Sequence, residues 1–305
     1  MRILLFGRHG QVGWELQRSL APLGALVALD RHSTEHCGDL ANLSGIAATI
    51  ADVRPDVVVN AAAYTAVDRA EKESAAANRI NADAPGVMAE ATRRLGAWLV
   101  HYSTDYVFDG SGDRPWVEHD VTAPVSVYGL SKLLGEHAVR QATEHHLMFR
   151  TSWVYAARGG NFLHTMLGLA QEREKLSVVA DQVGAPTGAE LIADVTAHAL
   201  RATVRGHALG GTYHLAAAGE TTWHGYASHI IETARRSANG MRIHCNTIAP
   251  VPSSAWPTTA RRPANSRLNT DLLRQEFGFL LPPWQLGVDR VLAECGWGAG
   301  TSKAS

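Results

Sequence analysis

Gly7-Arg8-His9-Gly10-Gln11-Val12-Gly13 places three glycines, each three residues apart, between the apolar run at residues 2–6 and an amphipathic stretch. Few local patterns restrict a fold as tightly. Gly7 permits a tight turn, Gly10 lets backbone approach a pyrophosphate, and Gly13 lets the following helix lie close to its strand. The helix N-terminus then offers unpaired N–H groups and partial positive charge to a phosphate. A bare glycine triplet is weak, but between a strand and a helix it marks a dinucleotide site.

The surrounding chain has the rhythm that such a loop needs. Short apolar strands are expected at 2–6, 25–29, 56–60, 98–103 and 147–151, alternating with helices at 14–23, 46–53, 75–95 and 131–141. Alternation of this kind builds βαβ units on a parallel sheet. Pro85 and Gly86 fall inside the long 75–95 segment and are expected to break or kink it. Beyond Trp153 the rhythm changes, with helices expected at 161–173, 190–203, 223–236 and 284–295. The Pro-, Ser-, Thr- and Arg-rich stretch 247–269 reads as a long loop. The expected architecture is α/β, a Rossmann-type doubly wound parallel sheet with a smaller C-terminal α/β substrate domain. Residues 1–150 read as the dinucleotide-binding domain, with strands near 177–180 and 213–216 returning to it. Residues 151–298 read as mainly substrate domain, and 299–305 as a flexible tail.

Composition removes several function classes. A chain of 305 residues with 46% hydrophobic and 19% charged residues is an ordinary globule with a sizeable core. Its net charge of −1 gives no footprint for nucleic acid. No segment approaches a membrane span, and Cys37, Cys245 and Cys295 are widely separated. That pattern fits reduced thiols in a cytoplasmic setting rather than a disulfide framework.

Tyr128 and Lys132 carry the chemistry. Four residues is just over one helical turn, so both side chains project from one helix face. A phenol normally titrates near 10, and a neighbouring ammonium is expected to bring it down towards the working range. Ser103-Thr104-Asp105-Tyr106 ends the strand at 98–103, on the carboxyl edge where open α/β sheets bind ligands. There Thr104 can hydrogen-bond a carbonyl oxygen while Tyr128 gives it a proton. Asp30 closes the second strand, where an acid bonds the adenosine ribose; Arg31 beside it can pair with a 2′-phosphate. His32-Ser-Thr-Glu-His36-Cys37 looks like a ligand cluster but lacks a distant partner pair.

With these motifs in order, the chain resembles the extended short-chain dehydrogenase/reductases, and within them the branch acting on dTDP-4-keto-6-deoxy sugars. The resemblance runs nearly end to end. It rests on Phe-Gly-x-x-Gly-Gln-Val-Gly at Phe6, Asn-Ala-Ala-Ala-Tyr-Thr-Ala-Val-Asp at Asn60 and Ser-Thr-Asp-Tyr-Val-Phe at Ser103. It continues through Arg-Thr-Ser-Trp-Val-Tyr at Arg150, Asp-Gln-x-Gly-Ala-Pro-Thr at Asp181 and Arg-Arg-Pro-x-Asn-Ser-Arg-Leu at Arg261.

The resemblance implies hydride transfer from NADPH or NADH to C4 of dTDP-4-dehydro-6-deoxy-L-mannose, yielding dTDP-L-rhamnose. It assigns Tyr128 as proton donor, Thr104 as polariser of the ketone, and Lys132 as holder of the nicotinamide ribose. Gly7, Gly10, Gln11, Val12, Gly13, Asp30, Asp39, Leu40, Ala63, Tyr64, Thr65, Tyr102, Tyr128 and Lys132 would line the cofactor. Thr104, Asp105, Tyr128 and Trp153 would contact the sugar, with Arg261 and Arg262 on its diphosphate. It also implies a homodimer linked by Mg2+ through Glu15, Glu190 and Glu294, although three exposed helix glutamates read equally well.

Two rival readings stay open. An epimerase of the same fold needs the same tyrosine and lysine, and would retain its NAD through purification. A catalytically silent regulatory subunit would keep the fold while dispensing with Thr104, Tyr128 and Lys132, all of which are present. A dehydratase is disfavoured, since Tyr106 stands after Asp105 where elimination needs a second acid.

Overall fold

Val-Val-Val-Asn at residues 57–60 is buried without exception, which is what a strand covered on both faces requires. It lies at the centre of a computed structural model that describes residues 1–237 and 242–297. β1 (Arg2–Phe6) leads through the glycine turn into α1 (Gln11–Leu20), followed by β2 (Ala25–Leu29), α2 (Leu43–Val53) and β3 (Val57–Asn60). Then come α3 (Val67–Ala70), α4 (Ser74–Asn78), α5 (Ala84–Leu95), β4 (Trp98–Thr104), α6 (Val127–Ala142) and β5 (His146–Thr151). The second half adds β6 (Val154–Tyr155), α7 (Phe162–Glu172), β7 (Lys175–Val179), β8 (Val183–Gly184), β9 (Thr187–Gly188) and α8 (Ala189–Val204). It ends with β10 (Gly211–His214), β11 (Thr221–Thr222), α9 (Trp223–Arg235), β12 (Thr247–Val251), α10 (Asp271–Phe277) and α11 (Trp284–Glu294).

Six strands form one parallel sheet in the order β10-β5-β4-β3-β1-β2. The alternation of side chains divides its two faces cleanly. Ile3, Leu5, Val57, Val59 and Val100 pack against Leu16 and Leu20 of α1 and Ile192 and Leu200 of α8. Leu4, Phe6, Val58 and Leu99 face Ile46 and Ile50 of α2, Met88 of α5 and Val139 of α6. The sheet is therefore wound on both faces, as expected. Strand order reverses between β1 and β3, which opens a crevice at their carboxyl ends.

A second core gathers α7, α9 and α11 around Leu163, Tyr226, Ile230, Trp284 and Val288. β7 and β12 border it as a separate parallel pair. That corrects two expectations. The segment at 177–180 does not return to the large sheet, whereas Gly211–His214 does join it beside β5. Residues 247–251, read as loop because of Pro250, form a strand; proline is tolerated there because the pair has no further neighbour to bond.

The segment around Pro85 also differs from expectation. The chain continues helically from Ser74 through a π-turn at Arg79–Asp83 into α5 rather than breaking. Pro85 stands in the first turn of α5, where its missing N–H costs little. The wide turn leaves the Asn81 carbonyl standing out, and α6 settles on it. A Cβ at Gly135 would lie 2.0 Å from that oxygen, and one at Gly129 would lie 2.2 Å from the Tyr106 carbonyl. The tail expected at 299–305 lies outside the described residues.

Because the obstacle is backbone, Gly135→Ala forces α6 away from the π-turn. It should lower unfolding free energy by about 1–3 kcal/mol in urea titration. An unchanged midpoint would show that the helix seat is looser than these distances imply.

Candidate active site

The cofactor crevice begins at Gly7, whose φ of 89° is open to glycine. Its N–H bonds the Leu29 carbonyl at 2.8 Å, tying the turn to β2. A Cβ at Gly13 would lie 2.0 Å from the Gly7 oxygen, so the close strand–helix approach needs glycine there. α1 starts at Gln11 with Gly10 as N-cap and no side-chain cap, leaving its first amides for a ligand. Val12 packs against the sheet core, and Gln11 accepts from the Asn161 side chain at 2.9 Å.

Asp30 sits at the tip of β2 as expected, but its partners are new. Its carboxylate accepts from the Arg8 guanidinium at 2.7 Å and the His32 amide at 2.7 Å, with the His9 ring 3.1 Å away. The His32 amide chiefly, then Arg8, holds it below the usual carboxylate range. Arg31 instead donates to His32 at 3.0 Å. The cation beside Asp30 is thus Arg8, inside the glycine loop. Asp39 and Leu40 follow Gly38, where a Cβ would meet the Asp30 carbonyl at 2.3 Å, so both stand near the tip of β2.

Ala63, Tyr64 and Thr65 follow β3 across the crevice. Asn81 of the π-turn clamps Tyr64, accepting from its N–H at 2.8 Å and donating to its carbonyl at 3.0 Å. The Tyr64 hydroxyl is taken by Glu73 at 2.6 Å. Tyr102 turns its ring to Thr196 at 2.8 Å and gives its carbonyl to Lys132.

Thr104, Asp105 and Tyr128 meet at the end of β4. Thr104 donates to Asp105 Oδ1 at 3.1 Å and accepts from the Tyr106 amide at 3.2 Å. Burial pushes the Tyr128 phenol up to about 12, while the Thr104 hydroxyl pulls it back and the Asp105 charge adds to the rise. The Tyr106 ring stands edge-on to Tyr128 at 5.5 Å. Lys132 donates to the Tyr102 carbonyl at 2.6 Å and approaches His101 Nε2 at 3.4 Å. Burial lowers it to about 8, partly opposed by Glu136. The expected depression of Tyr128 by Lys132 is therefore not found. The amine is engaged with β4, and desolvation governs the phenol.

Asp105 is 1% exposed, and its Oδ2 has no hydrogen-bond partner among the described residues. Burial raises it to about 6, against the pull of Ser266 and Thr104. Trp153, just past β5, has a φ of 49° and stacks on Trp223 at 3.7 Å. A non-glycine residue in that region carries about 1–3 kcal/mol of strain, held here by the tryptophan stack. Trp223 in turn lines a cleft of about 950 Å³, together with Phe162, Arg173, Trp256, Arg261 and Arg262. Arg262 is braced by Asp68 at 2.9 Å. Arg267, from the same arginine-rich run, pairs with Glu220 at 2.9 Å. Sequence reasoning missed Arg8, His101, Glu136, Trp223 and Trp256; Arg8 lies within the glycine loop and Glu136 one helical turn beyond Lys132, signals that could have found them, whereas His101, Trp223 and Trp256 have none.

Glu15, Glu190 and Glu294 are brought near one another, and burial followed by neighbouring carboxylates raises Glu190 despite Arg290. Each is taken up by an arginine, Glu15 by Arg18 at 3.6 Å, Glu190 and Glu294 by Arg290 at 3.2 and 3.4 Å. No group of three or more His, Cys, Asp or Glu among the described residues is arranged to hold a metal ion. Within one chain these donors do not fit Mg2+, and no chemistry is routed through it.

A doubly wound sheet with a glycine-loop crevice and a tyrosine–lysine helix at its carboxyl edge defines a nicotinamide-dependent reductase class. A family model for the RmlD substrate binding domain matches residues 1–296. The dTDP-4-dehydrorhamnose reductase of Shigella flexneri is 57% identical over 96% of this chain and 98% of its own. A solved dTDP-4-dehydrorhamnose reductase from Clostridium acetobutylicum superposes with a TM-score of 0.87 at 32% identity, covering 96% of this chain and 99% of that one. The Bacillus anthracis enzyme, solved with NADP, gives 0.85 at 34% identity and the same coverage. The chain belongs to the dTDP-4-dehydrorhamnose reductase family, a family of oxidoreductases. No helix among the described residues is long and apolar enough to cross a membrane.

Asp105 supplies a stability test. Its folded value lies above that of a free carboxyl, so its contribution is most favourable in acid and is lost as pH rises through about 6. Asp105→Asn should therefore stabilise the protein by roughly 2–3 kcal/mol at pH 7.5 and change little below pH ~4, measured by urea unfolding. Equal effects at both pH values would mean that the carboxyl is not held protonated by burial.

Proposed function

We propose that this protein reduces the 4-keto group of dTDP-4-dehydrorhamnose with NADPH or NADH to give dTDP-L-rhamnose. The observation that carries the reading is the meeting of Thr104 and Tyr128 at the carboxyl end of β4, beside the glycine-loop crevice. A volume of about 950 Å³ lies in the range of small-molecule sites, with room for a nucleotide and its sugar. Its aromatic walls suit a flat base, and Arg261 and Arg262 suit a diphosphate.

A reduced nicotinamide held by the glycine loop and Lys132 would supply the hydride for the sugar C4. Thr104 polarises the ketone oxygen and holds it against the phenol. As charge builds on that oxygen, Tyr128 transfers its proton to it. A phenol at about 12 remains loaded throughout the physiological range. An alkoxide is about as basic as hydroxide, whose conjugate acid lies near 15.7, so the transfer still runs downhill. Lys132 holds the ribose and offsets the phenolate charge afterwards. Asp105 Oδ2, buried without a hydrogen-bond partner among the described residues, would accept a sugar hydroxyl. Arg8 beside Asp30 allows the ribose pocket to take a 2′-phosphate, so NADPH and NADH both fit. Free, dispersed cysteines fit a cytoplasmic setting for this reaction.

Mixing the protein with enzymatically generated dTDP-4-keto-6-deoxy-L-sugar and following loss of reduced nicotinamide tests the reading. Tyr128→Phe should lower turnover by about 10²–10⁴-fold while leaving cofactor affinity intact. Lys132 is cationic below about 8, so kcat/KM should fall as pH rises through that value. Full turnover by Tyr128→Phe would remove the tyrosine from the mechanism.

A further inference from the structure

α6 carries a second ionisable side chain on its buried face. Glu136 lies four residues beyond Lys132 and is fully buried. Arg150 of β5 holds it with two parallel bonds, Nε to Oε1 at 2.8 Å and Nη2 to Oε2 at 2.7 Å. Arg140, further along α6, donates to Oε2 at 3.0 Å. Arg150 is itself 2% exposed, donates to the Glu118 carbonyl at 3.0 Å, and lies 5.1 Å over the Phe108 ring.

A bidentate arginine–carboxylate pair fixes both distance and orientation. Deep ion pairs add little net stability, because desolvation offsets much of their attraction; setting register is their best-attested use. This one joins the middle of α6 to the strand that ends in Thr151 and leads to Trp153. Ser103, the residue before Thr104, also lies against Glu136. Tyr128, Lys132, Thr104 and Trp153 thus stand on three segments that converge on one carboxylate.

Lys132 is buried on the same helix, four residues before Glu136. From β4 the amine meets the His101 ring and the Tyr102 carbonyl. His146 of β5 acts on His101, and Arg140 and Arg150 are bound to Glu136 itself. Glu136 is the charge in this set that favours the ammonium.

We propose that Glu136 is a positioning residue: locked by Arg150, it sets the register of α6 against β4 and β5, and with it the places of Tyr128 and Lys132. The proposal rests on the reductase reading above. Glu136→Gln leaves Arg150 buried without its counter-charge and can unfold the chain. Glu136→Met/Arg150→Met removes both charges and retains an apolar fill, so it serves as the second variant. In whichever variants fold, turnover should fall roughly tenfold to a hundredfold, as expected for displaced catalytic groups. KM for the nucleotide-sugar should hold, so that the loss falls on kcat. A purely structural Glu136 would lower the thermal midpoint while leaving kcat in place, which would overturn the proposal. Tyr128→Phe measured alongside separates the two failures. An active Tyr128→Phe sinks the reductase reading, whereas an inactive one with unaltered Glu136 variants sinks only this inference.

Discussion

The proposed chemistry depends on how closely α6 is seated, between the carboxyl end of β4 and the π-turn before α5. Two glycines make that approach possible, Gly129 against the Tyr106 carbonyl and Gly135 against Asn81. The second contact depends in turn on the π-turn at Arg79–Asp83, which presents the Asn81 carbonyl and uses its side chain to clamp Tyr64. One irregular turn therefore seats the catalytic helix and orders the loop on the far side of the crevice. π-turns cluster at functional sites, and here the reason is steric.

Close seating also decides the electrostatics. Burial opposes charge on both members of the pair, raising Tyr128 and lowering Lys132. This suits the proposed reduction. In it the phenol would stay loaded with a proton whose destination is a far stronger base. The reverse reaction would have to start from a phenolate that burial disfavours. Asp105 follows the same logic, since a buried carboxyl with an unpartnered oxygen is maintained at the expense of stability.

Much of this was legible in the sequence because it was local. Gly7 to Gly13 encodes a turn, and Tyr128 with Lys132 encodes a helix face; both depend only on spacing. The valines of β3 declared their burial, and the sheet followed. What escaped depends on long-range partners. Arg262 finds Asp68 across 194 positions, and Arg150 finds Glu136 across a strand–helix packing that no periodicity announces. The shift of Tyr128 was misread for the same reason: the turn geometry was right, but Lys132 found nearer partners on β4. Pro250 and Pro85 misled as well, since edge strands and first helical turns both tolerate proline. The division of the chain at residue 150 remains part of the proposal, because β10 joins the first half while β7 and β12 stand apart from the large sheet.

The most direct test is a crystal structure of the protein with oxidised cofactor and dTDP-L-rhamnose. The account expects the product's O4 within hydrogen-bonding distance of both the Tyr128 and Thr104 hydroxyls, with the nicotinamide C4 facing the sugar C4. A sugar whose O4 points to Lys132 or to solvent, with the Tyr128 hydroxyl touching neither, would contradict it.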